Sequence, residues 1–213
     1  PPRGLPEPMK PDFWDDACRD LSRRDPVMGR IIAERGQAHL VSRGDPFQTL
    51  ARSIVGQQIS VKAAQSVWNR FEAAAGEVVP LRVSRMRVAT LRNCGLSERK
   101  AEYLKDLARR FHVGEVDPTH WPSRDDEAII AELVAVRGIG RWTAEMFLIF
   151  NLLRPDVLPV DDLGLLRGIE KHYRNGESVS RREAQQLGEA WRPWRTVATW
   201  YLWRSLEPVP VEY

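Results

Sequence analysis

The sequence predicts an all-α protein of two helical lobes, on three observations. Apolar residues recur at three- and four-residue spacing along most of the chain. Capping residues or prolines stand just before those runs, where a helix begins. No stretch alternates apolar and polar residues as a half-buried strand would. The chain has 213 residues, 43% hydrophobic and 29% charged, a globular composition with enough length for one large domain or two small lobes. Two cysteines, Cys18 and Cys94, exclude a disulfide framework and a four-cysteine metal or iron–sulfur site. No apolar run approaches the roughly 20 residues that span a bilayer, so no membrane partner and a reducing, cytoplasmic setting are expected. The net charge of +3 and pI near 9.1 permit a polyanionic partner without demanding one.

Taken in order, residues 1–11 are proline-rich, without the hydrophobic stretch of a signal peptide, and read as a flexible leader. Two short amphipathic helices are expected at 12–24 and 26–35. Asp45-Pro46 is an N-cap followed by proline at the first helical position, and Phe47, Leu50, Ala51, Ile54 and Val55 mark one buried face. "GQQIS" divides this helix from the next, 61–75. Residues 76–83 read as a connector and 84–92 as a short helix. Ser97 caps a longer helix with apolar positions at Ala101, Leu104, Leu107, Ala108 and Phe111. Residues 112–123 read as a loop, and Ser123 as the cap of a helix over 126–136. Ser180 and Glu183 form a capping box, and Pro193 opens the last helix.

Residues 132–150, "ELVAVRGIGRWTAEMFLIF", pinch two helices together at Gly138-Ile139-Gly140. Glycines there permit positive φ or close approach. The tight turn aims the next helix's first amides outward beside its positive dipole end, a ready phosphate site, with Arg141 and Thr143 at its rim. A hairpin that merely packs closely fits the bare pattern equally well. Twenty residues beyond Trp142, "PVDDLGLLR" sets Asp161 and Asp162 at a helix start, where either serves as an ordinary cap. Four tryptophans fall at 191, 194, 200 and 203.

Hairpin, spacing and aspartate together resemble the helix-hairpin-helix DNA glycosylase superfamily, over about residues 45–205. The resemblance implies a lobe of residues 45–154 carrying the hairpin. It pairs that lobe with a second, 12–44 plus 155–213, and places the active-site cleft between the two. It implies Asp162 as the catalytic residue, with Asp161 as cap or structural partner. The lyase branch carries a nucleophilic lysine where this chain has Trp142. A Schiff base needs an amine there, so the enzyme is expected to be monofunctional, with water as the nucleophile.

Tryptophan at that position, with "WRPWRTVATWYLW", resembles the bacterial 3-methyladenine DNA glycosylase II group in a compact form. Trp142 and Trp203 then line the base pocket with Met146, Leu163 and Phe47, while Trp191, Trp194 and Trp200 are core. Among the DNA contacts, Gln58 is the wedge that fills the hole left by the flipped nucleotide, and Gln57 supports it or touches the opposite strand. Lys62, Arg99 and Lys100 are candidate phosphate contacts beside Gly138, Ile139, Gly140, Arg141 and Thr143. The backbone carbonyls of Val134, Val136 and Ile139 are the expected ligands of a Na+ or K+ ion. No other cofactor is expected. The implied partner is double-stranded DNA containing alkylated bases, bound by a monomer. The implied activity is removal of alkylated purines such as 3-methyladenine, leaving an abasic site. Rival readings are a superfamily glycosylase for a mismatched or deaminated base, and a non-catalytic DNA-binding module.

Overall fold

The computed structural model describes residues 10–36 and 38–206. Most of the expected leader, 1–9, and the tail 207–213 lie outside the described residues. Of the described residues, 67% are helical, and no strand occurs among them. The fold is all-α, as the periodicity predicts. No helix among the described residues is long and apolar enough to cross a membrane.

Two compact units form. The first joins Pro1–Ser42 to Leu148–Tyr213 and the second is Arg43–Phe147. The division falls inside a helix, not at the proline-marked break after it. The last turn of that helix belongs to the first unit, where the Ser42 hydroxyl donates to the Asn151 carbonyl at 2.8 Å and Phe150 stacks on Trp203.

The first unit opens with α1 (Trp14–Arg24) and α2 (Pro26–Arg35). Pro11, at the described end of the leader, is buried, and its carbonyl accepts from the Trp14 amide at 2.9 Å. The second unit contains α3 (Pro46–Gly56), α4 (Val61–Ala75), α5 (Pro80–Arg85), α6 (Val88–Asn93), α7 (Glu98–His112) and α8 (Asp126–Val134). Helix α9 (Arg141–Phe150) runs across the division. Then α10 (Leu163–Tyr173), α11 (Arg181–Gly188) and α12 (Arg195–Arg204) complete the first unit. Asp45, Ser97 and Ser180 cap α3, α7 and α11 as expected, the last with its Glu183 capping box, and Ser60 caps α4.

Several boundaries differ from expectation, each through local chemistry. The connector at 76–83 contains the start of α5, because Pro80 occupies the first turn, where its missing N–H costs nothing. The helix expected at 84–92 is divided: Met86 and Arg87 are extended and α6 begins at Val88. The loop at 112–123 ends in a 3-10 turn, Pro118–Ser123, capped by Asp117. Asp125, not Ser123, caps α8, since its carboxylate accepts from the Ala128 amide. The Ser123 hydroxyl donates to the His120 carbonyl instead. Pro193 stands two residues before α12, after a cis peptide bond.

Asp25 ties the first unit together. One oxygen caps α2 by accepting from the Val27 and Met28 amides, both at 3.0 Å. The other accepts from the Tyr173 hydroxyl at 2.7 Å and the Trp191 indole at 2.9 Å. Burial and the Asp25 carboxylate push the Tyr173 phenol far above its ordinary range, so it remains a donor. Trp200 packs edge-on to Trp14 at 5.1 Å, and Trp194 stacks on Phe13 while donating to Asp20. The three tryptophans expected in the core are therefore structural. Asp25→Ala strands four donors at once and is expected to cost about 2–4 kcal/mol, read as a lower denaturant midpoint with an unchanged slope.

Candidate active site

Helix α10 begins at Asp162, whose extended backbone and side chain make it the N-cap. Its Oδ2 accepts from the Leu165 amide at 2.7 Å and from the Trp203 Nε1–H at 2.7 Å. The residue is only 2% exposed, so these bonds fix the carboxylate at the positive end of the helix. Asp161 was the expected cap or structural partner. It does not cap. It is exposed and pairs with Arg181 at 2.7 Å, because only the residue directly preceding the helix can reach its third amide. One carboxylate therefore combines the capping role with the position proposed for catalysis.

Gly164 makes this arrangement possible. A Cβ there would lie 2.9 Å from Trp203 Cδ1 and 3.0 Å from Asp162 Oδ2. At Gly168, one turn on, a Cβ would lie 2.9 Å from the Leu202 Cβ, so α10 and α12 approach closely. Trp203 is 5% exposed and stacks on Phe150 at 5.5 Å with an 8° interplanar angle. Its sequence reading as a pocket wall omitted this bond to the carboxylate. An indole N–H seeking a buried acceptor was the available signal. Leu163, by contrast, is 66% exposed beside the buried aspartate.

In the second unit, α8 and α9 form the hairpin. Gly138 has φ +86°, and a Cβ there would sit 2.3 Å from the Tyr103 ring. The glycine is thus required twice, by conformation and by contact with α7. The Ile139 amide donates to the Val136 carbonyl at 3.2 Å, and Ala144 to Gly140 at 3.0 Å. The latter is the first bond of α9, so the amides before it have no acceptor within the helix. Gly140 is exposed and nothing lies within 4 Å of where its Cβ would be. Val136 and Ile139 are buried, Val134 is exposed, and Thr143 is half-buried.

Arg141, expected at the phosphate grip, makes a two-pronged pair with Glu127 at 2.9 and 2.6 Å. Both side chains are largely exposed, so the pair is worth little and a phosphate can exchange for the carboxylate. Trp142 is half-buried. Met146 and Phe47 are buried, Phe47 edge-on to Phe111 at 5.4 Å on the core face of α3.

The turn between α3 and α4 carries the two glutamines. The Gln57 side-chain amide donates to the Gly138 carbonyl at 2.8 Å, tying this turn to the hairpin. Gln58 is exposed and left-handed, with φ +58°, a conformation uncommon outside glycine. Ile59 is 40% and Val61 74% exposed, and Lys62 is exposed. Lys100 is not turned toward a phosphate as expected. Its ammonium donates to the Val55 and Gln57 carbonyls at 2.8 and 2.6 Å. Helix α7 also holds the hairpin through Asp106, which accepts from the Arg137 amide at 2.9 Å. Burial raises the Asp106 pKa, but the Arg137 amide and Arg110 outweigh it and the carboxyl lies below its ordinary value.

A family model for HhH-GPD superfamily base excision DNA repair proteins matches residues 51–193. The chain is 34% identical over 169 residues to DNA-3-methyladenine glycosylase 1 of Schizosaccharomyces pombe, covering 78% of this chain and 74% of that protein. Its fold superposes on a DNA-3-methyladenine glycosidase from Bacillus halodurans with TM-score 0.84 and 37% identity, covering 89% of this chain and 88% of the other. It also superposes on the Schizosaccharomyces pombe 3-methyladenine DNA glycosylase in complex with abasic DNA, with TM-score 0.77 and 32% identity, covering 89% and 96%.

Two outcomes follow from the hairpin geometry. Gly138→Ala is expected to cost about 2–4 kcal/mol, combining a positive φ with a clash against Tyr103, and to weaken duplex binding in a salt titration. The Asp106 contribution to stability, with its folded pKa lowered, is present above the unfolded value of about 3.9 and is lost as pH falls through the folded one. Acid unfolding of Asp106→Ala is therefore expected to lose that limb of its pH dependence.

Proposed function

This chain belongs to the HhH-GPD superfamily of base excision DNA repair proteins, and from that membership we propose a monofunctional glycosylase for alkylated purines. It hydrolyses the N-glycosidic bond of a flipped base such as 3-methyladenine and leaves an abasic site. The observation that carries the catalytic assignment is the buried Asp162 carboxylate, held by two N–H donors on one oxygen beside the exposed Leu163. Loss of the base leaves an oxocarbenium-like sugar, and a fixed anion beside it stabilises that charge without reorganising. The same carboxylate orients or deprotonates the attacking water. Position 142 is tryptophan, which offers no amine for a Schiff base.

A ring-alkylated purine is already cationic and leaves readily, so no separate general acid is required. The aromatic face of Trp203, whose indole holds Asp162, favours such a base by cation–π attraction worth roughly 0.5–2 kcal/mol. Leu163, exposed at the first turn of α10, adds apolar contact to the lesion. The outward amides of α9 with Gly138, Ile139 and Gly140 grip a backbone phosphate, and Gln58 fills the vacated stack. The carbonyls of Val134, Val136 and Ile139 are neutral donors suited to Na+ or K+. Val136 keeps a second lone pair beyond its bond to Ile139. An ion held there would bridge the hairpin to a phosphate. The protein acts as a monomer on duplex DNA.

Base release from N-methylated duplex DNA, with products separated by chromatography, tests the reading. Wild type is expected to free 3-methyladenine and leave strands that break only on alkaline treatment. Asp162→Asn is expected to lower the single-turnover rate about 10²–10⁴-fold. Trp203→Phe, which deletes the indole donor and keeps the ring stack, is expected to lower it about 10–100-fold. Full activity of Asp162→Asn sinks the assignment.

A further inference from the structure

The side chain of Lys100 points into its own unit and ends on two main-chain oxygens at the C-terminus of α3. Its ammonium donates to the Val55 carbonyl at 2.8 Å and to the Gln57 carbonyl at 2.6 Å. The second acceptor is the peptide group that leads into Gln58, the residue held at φ +58°. A glutamine in that region carries backbone strain that persists only where its surroundings over-determine it. A cation at the last carbonyls of a helix is favoured by the helix dipole as well as by hydrogen bonding. The side chain of Gln57 itself reaches from this turn to the Gly138 carbonyl of the hairpin. Helix α7 supports the other side of that hairpin with Tyr103 and Asp106.

We propose that Lys100 is a positioning residue that locks the Gln57–Gln58 turn in its left-handed form and, through Gln57, joins the wedge to the phosphate-gripping hairpin as one rigid device. The inference rests on the glycosylase reading and assigns Lys100 a share in base flipping, with no contact to the reacting atoms. A rigid wedge matters only while the target base is stacked and paired. Once the base is already unstacked, the hole need not be forced open. The exposed side chains of Ile59 and Val61 flank the same turn, and their apolar surface is presented only as well as that turn is held.

The structure supplies its own control. Lys105, also on α7, donates to the Ser84 and Met86 carbonyls at 2.7 and 2.5 Å. It makes the same kind of cap at the end of α5, far in sequence from the glutamine turn. Both lysines stabilise the unit by similar bonds, so they separate a general loss of stability from a loss of wedge geometry.

The experiment compares single-turnover base release from one 7-methylguanine placed opposite cytosine and placed opposite an abasic-site analogue. Lys100→Met is expected to slow release from the paired substrate about 10–100-fold and from the unpaired one less than about 3-fold. Lys100→Arg, which keeps two donors and a charge, is expected to recover most of the paired rate. Lys105→Met is expected to lower the melting temperature while keeping the wild-type ratio of the two rates. Equal slowing on both substrates by Lys100→Met, or the same change of ratio in Lys105→Met, overturns the proposal. The paired duplex also carries 2-aminopurine beside the lesion, whose fluorescence rises on unstacking without bond cleavage. A wild type that releases no base sinks the glycosylase reading alone. In that case a 2-aminopurine rise that Lys100→Met loses and Lys105→Met keeps supports the brace, and an unchanged rise overturns it.

Discussion

An α-helix leaves its first amides and last carbonyls without partners of its own, and every segment assigned a role in this protein answers that constraint. Asp162 satisfies the start of α10 and is held by Trp203 as it does so. The first helical bond of α9 runs from the Ala144 amide to the Gly140 carbonyl, so the amides before it have no acceptor within the helix. The end of α3 is completed by the Lys100 ammonium, and the start of α2 by Asp25. In an all-helical chain the regular backbone is saturated with its own bonds, so chemistry collects where that saturation stops.

Asp25 and Asp162 both cap helices, but they use their oxygens differently. Asp25 spends one oxygen on two amides and the other on a phenol and an indole, which makes it a knot joining α2, α10 and the segment before α12. Asp162 takes its cap amide and its indole on the same oxygen, Oδ2. The neighbouring residue differs as well. Val27 is half-buried, whereas Leu163 turns a large apolar side chain to solvent. Burying Leu163 would gain about 1.5–3 kcal/mol, and a helix start that leaves it outside presents apolar surface beside a carboxylate.

In the second unit, α7 is the common support. It caps the ends of α3 and α5 with lysines, packs Tyr103 where Gly138 has no side chain, and holds the Arg137 amide through Asp106. The hairpin and the glutamine turn are far apart in sequence, yet the Gln57 amide makes them neighbours. Their relative placement therefore has the stiffness of a helix behind it.

The helices and most of their starts were legible because the information is local. Apolar spacing marks a buried face, and a capping side chain acts within three residues. Gly138-Ile139-Gly140, the tryptophan at 142 and the spacing to Asp162 were legible for the same reason. What the sequence could not separate was direction. Asp161 and Asp162 are identical neighbours, and only the fold decides which one faces the Trp203 indole and which one meets Arg181. Lys100 and Arg141 both read from the sequence as candidate phosphate contacts. Their partners come from residues 43 to 45 and 14 positions away. By itself the sequence determined the helical class, the hairpin and the branch of chemistry open to position 142. Only the tertiary structure decided which carboxylate is buried and which cations are already engaged, because burial and pairing are set by segments that local pattern does not connect.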